Sequence, residues 1–192
     1  MSPRGLKRVQ DGVSWARYWY WSLAALFHVL LLVGMASYTP QARAHFLPTS
    51  TPLGHLHLVL DRTLRHPGTP LALPLLAYLR SSALSTRLLA AYVVRLVIYW
   101  AHSAHVALAL DHLVSDHLVL FATLAASLAR LLSSMRGGPR QPPSILLHGV
   151  WFVWFVAVAV EAWVTAAVYH PPTETRASVV IGFFFWVGLA PP

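Results

Sequence analysis

Two short polar blocks interrupt an otherwise apolar chain. In the first, Asp111-His112-Leu113-Val114-Ser115-Asp116-His117, four ionisable groups fall inside an apolar run, where each costs roughly 2 to 4 kcal/mol if it faces lipid. In the second, His170-Pro171-Pro172-Thr173-Glu174, an imidazole precedes a carboxylate by four residues, a spacing that brings two side chains together on one helical turn. These residue types suit a histidine-based phosphohydrolase. Such chemistry needs one His to attack phosphorus, a carboxylate to fix its tautomer, a second acid to protonate the leaving oxygen, and positive groups to hold phosphate oxygens.

The composition sets the solvent for that chemistry. The 192 residues are 57% hydrophobic and only 10% charged, and the mean hydropathy is +0.58. These values belong to polytopic membrane proteins rather than soluble domains. The net charge of +8, from 14 basic residues against 6 acids, is spread through loops and helix ends. Such a balance reports cytoplasmic loops and anionic headgroups. No basic stripe with interleaved aromatics lies outside the apolar segments, which argues against nucleic acid as a partner. Cysteine is absent, so the catalyst must come from His, Ser, Asp, Glu or a bound cofactor, and no cofactor is expected.

The elements that must position these residues form an all-α polytopic transmembrane bundle of five to six helices. A cytoplasmic N-terminus over 1–15 leads into one membrane domain over 16–190. Spans are expected at about 18–38, 87–110, 116–133, 144–170 and 175–190. The stretch 70–84 has about thirteen apolar residues against the roughly 20 a straight span needs, so spanning, interfacial and re-entrant placements stay open. The region from Thr39 to Thr69, rich in Pro and His, reads as a loop with a short amphipathic helix from Leu56 to Leu64. Ser115 is an N-cap candidate that puts Asp116 and His117 in the first turn of a new helix. A helix N-terminus favours an anion. Glu161, an acid inside a span, pairs with Arg95 or bonds a hydroxyl or backbone group.

Between His117 and His170 the chain crosses the membrane once out and once back, so both histidines belong to one face. The basic loop Met135 to Pro143, with Arg136 and Arg140, puts that face opposite the cytoplasm. Two other readings use the same residues. His102 and His105, on one helical face, with Asp111, His112, Asp116 and His117, offer nitrogen and oxygen ligands to a metal. Alternatively, the polar cluster joins the helices of a non-catalytic lipid-binding protein.

Ser115-Asp116-His117-Leu118-Val119-Leu120 resembles the Ser-x-His-x-x-Leu signature of the fat storage-inducing transmembrane (FIT) proteins, distant relatives of lipid phosphate phosphatases. Trp163, Thr165, Tyr169-His170, Glu174 and Gly182 are similar to the second motif of that family. The resemblance implies a multi-pass endoplasmic reticulum enzyme, with a luminal active site, that hydrolyses the diphosphate of fatty acyl-CoA and serves lipid droplet biogenesis and lipid storage. It makes His170 the nucleophile, Glu174 the group that orients it and His117 the general acid. Ser115, Asp111 and Arg95 are candidates for binding the lipid or acyl-CoA substrate. The chain has Asp116 where the phosphatase relatives have glycine, a charge compatible with phosphate only if protonated or paired.

Overall fold

The structure is a computed structural model that describes residues 3–41, 52–66, 68–78, 81–107, 114–135 and 145–191. In chain order these form α1 (Pro3–Ala36), α2 (Pro52–Arg65), α3 (Gly68–Tyr78), α4 (Ser82–Ala107), α5 (Asp116–Met135), α6 (Ile145–Val168) and α7 (Pro172–Leu189). Among the described residues there is no strand, as expected where a segment in hydrocarbon must satisfy its own backbone groups. Among the described residues four stretches are long and apolar enough to cross a membrane: Ser14–Ala36, Ser82–Ala104, Asp116–Ser134 and Ile145–Val168.

The sequence led to an expectation of five to six spans, and two segments account for the difference. With 11 residues, α3 is about 16 Å long, roughly half the hydrocarbon thickness. It folds back against α4, where the Ser85 hydroxyl donates to the Pro74 carbonyl at 2.8 Å. The other segment, α7, exists near its expected limits, but its first turns carry Glu174 and Arg176. The 39–69 stretch departs further from expectation, because α2 extends the short amphipathic helix to Pro52–Arg65.

The bundle is built around α5, whose spanning stretch is 83% buried and which touches each of the other six described helices. Its Ala122, Ala125, Ala126 and Ala129 are buried, and small residues of this kind let helix backbones approach closely without a hydrophobic drive from water. Phe121, Leu124, Leu128 and Leu131 fill the space between those contacts. One close approach is to α7, where a Cβ built on Gly182 would lie 2.7 Å from the Ala122 Cβ.

Two contacts fix the direction of α1 in the bundle. Near its C-terminus, a Cβ on Gly34 would lie 2.7 Å from the Trp163 carbonyl oxygen of α6. Nearer its start, the Tyr20 hydroxyl donates to the Trp186 carbonyl of α7 at 2.6 Å. Hence α1 runs parallel to α6 and antiparallel to α7. The α6–α7 turn with His170 therefore sits at the C-terminal end of α1.

Gly182→Ala should lower stability by about 1–3 kcal/mol through overpacking against Ala122, measured as unfolding in detergent. Gly188, on the same helix, has nothing within 4 Å of its built Cβ. Gly188→Ala should be neutral or stabilising by about 0.5–1 kcal/mol, because a helical glycine is replaced without a clash.

Candidate active site

The site begins with the way α5 starts. The Ser115 hydroxyl accepts the Leu118 N–H at 3.3 Å, and its carbonyl accepts the Val119 N–H at 3.2 Å. Ser115 is thus the N-cap, and Asp116 and His117 occupy the first turn. The cap is itself anchored: the Ser115 N–H donates to the Ser178 hydroxyl at 2.8 Å, and that hydroxyl donates to the Glu174 carbonyl at 2.8 Å. Ser115 and Ser178 are both buried. Through Ser178, the first turn of α7 and the first turn of α5 are held in register.

The two prolines place the second block. Pro171 is extended, with φ −62° and ψ 157°, and Pro172 opens α7, where a missing N–H costs nothing. His170 therefore precedes the helix while Glu174 lies in its first turn. Their side chains still meet, with His170 Nδ1 2.7 Å from Glu174 Oε2. The His117 and His170 rings approach edge to face, with centroids 6.0 Å apart. Of the sequence candidates, His117, His170, Glu174 and Ser115 come together at one end of the bundle.

Asp116 has a partner. Arg95, from the middle of α4, places one guanidinium nitrogen 2.8 and 2.9 Å from the two carboxylate oxygens, and its charged group lies 5.1 Å over the Tyr99 ring. Arg95 is therefore engaged with Asp116 rather than with Glu161. The cation beside the histidines is Arg65 of α2, whose Nη1 lies 2.8 Å from His117 Nε2 and which also pairs with Asp61. A guanidinium can only donate, so His117 Nε2 is the acceptor and the ring proton of a neutral His117 sits on Nδ1.

Glu161 meets His57 of α2, with Oε2 2.7 Å from Nδ1. His57 Nε2 contacts the Tyr169 hydroxyl at 3.2 Å, and the two rings stack. The Glu161 carboxylate raises the pKa of His57 above its ordinary 6.5, against the opposing effect of burial. The charge of Asp61 adds to the rise and that of Arg65 opposes it.

The sequence reading missed Arg65 and His57. Their signal was present, since His57, Asp61 and Arg65 recur every four residues and so line one helical face. Asp111 and His112 lie outside the described residues, as does the His105 side chain. Among the described residues no three His, Asp or Glu side chains gather as a metal-binding set. Comparison with protein family models, with curated proteins and with solved structures yields no match to this chain.

Removing one member of the Arg95–Asp116 pair leaves a charge in a largely dehydrated position, so Asp116→Leu or Arg95→Met alone should cost about 3 kcal/mol. The double substitution should recover most of that loss, and a double-mutant cycle on unfolding in detergent measures the coupling. For His57 the folded pKa lies above the unfolded one, so its stabilisation is fully present below the ordinary value and is lost as pH rises through the raised value. The protection factors of α2 amides in lipid nanodiscs, corrected for intrinsic exchange, should therefore fall as pH rises through the raised value of His57, and His57→Phe should abolish that fall.

Proposed function

We propose that this chain is a membrane-embedded phosphohydrolase of the kind its FIT-like motifs imply, cleaving the phosphoanhydride of a fatty acyl-CoA. The observation that carries the reading is the 6.0 Å approach of two imidazoles from different helices, one of them held by a carboxylate at 2.7 Å. The Glu174 carboxylate accepts the Nδ1–H of His170, which leaves the Nε2 lone pair as nucleophile. That lone pair forms the N–P bond while the P–O bond to the leaving group breaks, and His117 protonates the departing oxygen. A water molecule then attacks phosphorus, His117 takes its proton, and the N–P bond breaks to release phosphate ester and free His170.

Arg65 supplies the charge. A guanidinium binds phosphate oxygens better than it binds a neutral imidazole, so an arriving phosphate draws Arg65 off His117 and leaves Nε2 open to a proton. The Asp116 charge is neutralised by Arg95, which removes the main electrostatic objection to an anion at this end. In this reading Arg95 supports substrate binding indirectly, and Ser115 does so by fixing the start of α5.

The reading includes an endoplasmic reticulum membrane, a luminal site and a role in lipid droplet biogenesis and lipid storage. The distribution of basic groups supports the orientation. Arg130 of α5 lies within electrostatic reach of Arg87 and Tyr20, about 20 Å along α5 from Asp116. Those arginines gather at the end remote from His170, and basic residues mark the cytoplasmic side.

The purified protein in detergent should turn over long-chain acyl-CoA. His170→Ala and His117→Ala should each lose at least about 100-fold in rate while keeping the unfolding transition of the unaltered protein. Glu174→Gln should lose less than His170→Ala. A full rate in His170→Ala, or no turnover by the unaltered protein, would remove the hydrolase reading.

A further inference from the structure

A cavity of about 580 Å³ opens between α2, α3, α5 and α6, within the range of built small-molecule sites. Its walls are apolar, with Leu124 and Leu128 of α5, Leu76 of α3, and Trp151 and Trp154 of α6 among them. Its rim is not apolar, because Arg62 and His66 also line it. The residue between Arg62 and His66 that faces the catalytic end is Arg65, the donor to His117. A basic rim over an apolar shaft is the complement of an amphiphile with an anionic head.

Helix geometry ties the shaft to the catalytic histidine. His117, Leu124 and Leu128 are separated by seven and then four residues, which places all three on one face of α5. The distance along the axis from His117 to Leu128 is about 16 Å, close to half the roughly 30 Å hydrocarbon thickness. A chain laid along that face starts at the histidines and ends near the bilayer midplane. One helix face and one basic rim accommodate one chain attached to one head.

We propose that this cavity is an acyl slot, binding the single hydrocarbon chain of an amphiphile whose phosphate-bearing head lies at Arg62, Arg65 and His66. It deepens the hydrolase reading and rests on it for the identity of the head; the slot itself rests on the cavity and the face of α5. It selects single-chain amphiphiles over the two-chain phospholipids of the surrounding bilayer.

Photo-crosslinking tests the slot without requiring turnover. The full chain carrying His170→Ala, in phosphatidylcholine vesicles, is irradiated with an acyl-CoA bearing a photoreactive group at the end of its chain, and labelled peptides are mapped by mass spectrometry. Label should fall on α5 and α6 around Leu128 and Trp154, and unlabelled lysophosphatidic acid or acyl-CoA should compete it away. Leu128→Trp should cut the labelling at least tenfold. Because Leu128 is buried, Leu76→Trp, which fills the slot from an exposed position on α3, serves as a second variant and should do the same. A photoreactive phosphatidylcholine that labels these peptides equally would show an annular lipid contact and overturn the proposal, as would labelling that resists competition or is unchanged in both Trp variants. Loss of the hydrolase reading alone would leave the labelling intact, whereas loss of the slot alone would leave turnover intact and labelling dispersed.

Discussion

An aspartate in the first turn of a helix enclosed by six others must be neutralised where it stands, and Arg95 does this for Asp116 at 2.8 Å. The helix end itself favours a negative group, but a carboxylate held away from water needs more than a helix dipole. The pairing sets the register of α4 against α5, because the middle of one helix must lie level with the start of the other. As a result α4 continues about 18 Å past Arg95, beyond the level at which α5 starts.

The same constraint accounts for the other polar contacts. Among the described side chains the acids are Asp61, Asp116, Glu161 and Glu174, and each is paired with Arg65, Arg95, His57 or His170. Two of these pairs join different helices, and the Ser115–Ser178 bond ties α7 to the start of α5. In an apolar medium an unpartnered polar group is costly, so the pairs specify which helices are neighbours at this end. At the remote end the Tyr20 hydroxyl donates to the Trp186 carbonyl. The Arg95–Asp116, Arg65–Asp61 and His170–Glu174 pairs all lie where the candidate chemistry does.

Much of this was legible in the residues. The cap at Ser115, the start of α5 and the limits of α6 follow from turn chemistry and apolar length, which are local properties. The common face of His117 and His170 follows from counting crossings. Partners across helices were less legible: Arg95 was one of the partners open to Glu161 and is found on Asp116, because a span with one acid does not say which helix it faces. The region before α3 was the hardest. Its prolines and histidines suggested a loop with a helix only from Leu56 to Leu64, whereas the four-residue recurrence of His57, Asp61 and Arg65 belongs to a helix over Pro52–Arg65. Of the five to six spans expected, four stand on length and apolar character among the described residues, since apolar character alone does not give α3 the length to cross.

The two ends of α2 are held unequally, and this bears on how the site works. The His57–Glu161 pair has side-chain exposures of 12% and 2%, so it is shielded from water and from salt. Arg65 is 41% exposed where it meets Asp61, and exposed pairs of this kind are worth about 0–1 kcal/mol. The helix is therefore fixed near His57 and soft at its catalytic end. A phosphate can recruit Arg65 by moving one long side chain, with the backbone of α2 staying in place. Had the strengths been reversed, releasing His117 would have required unseating the helix.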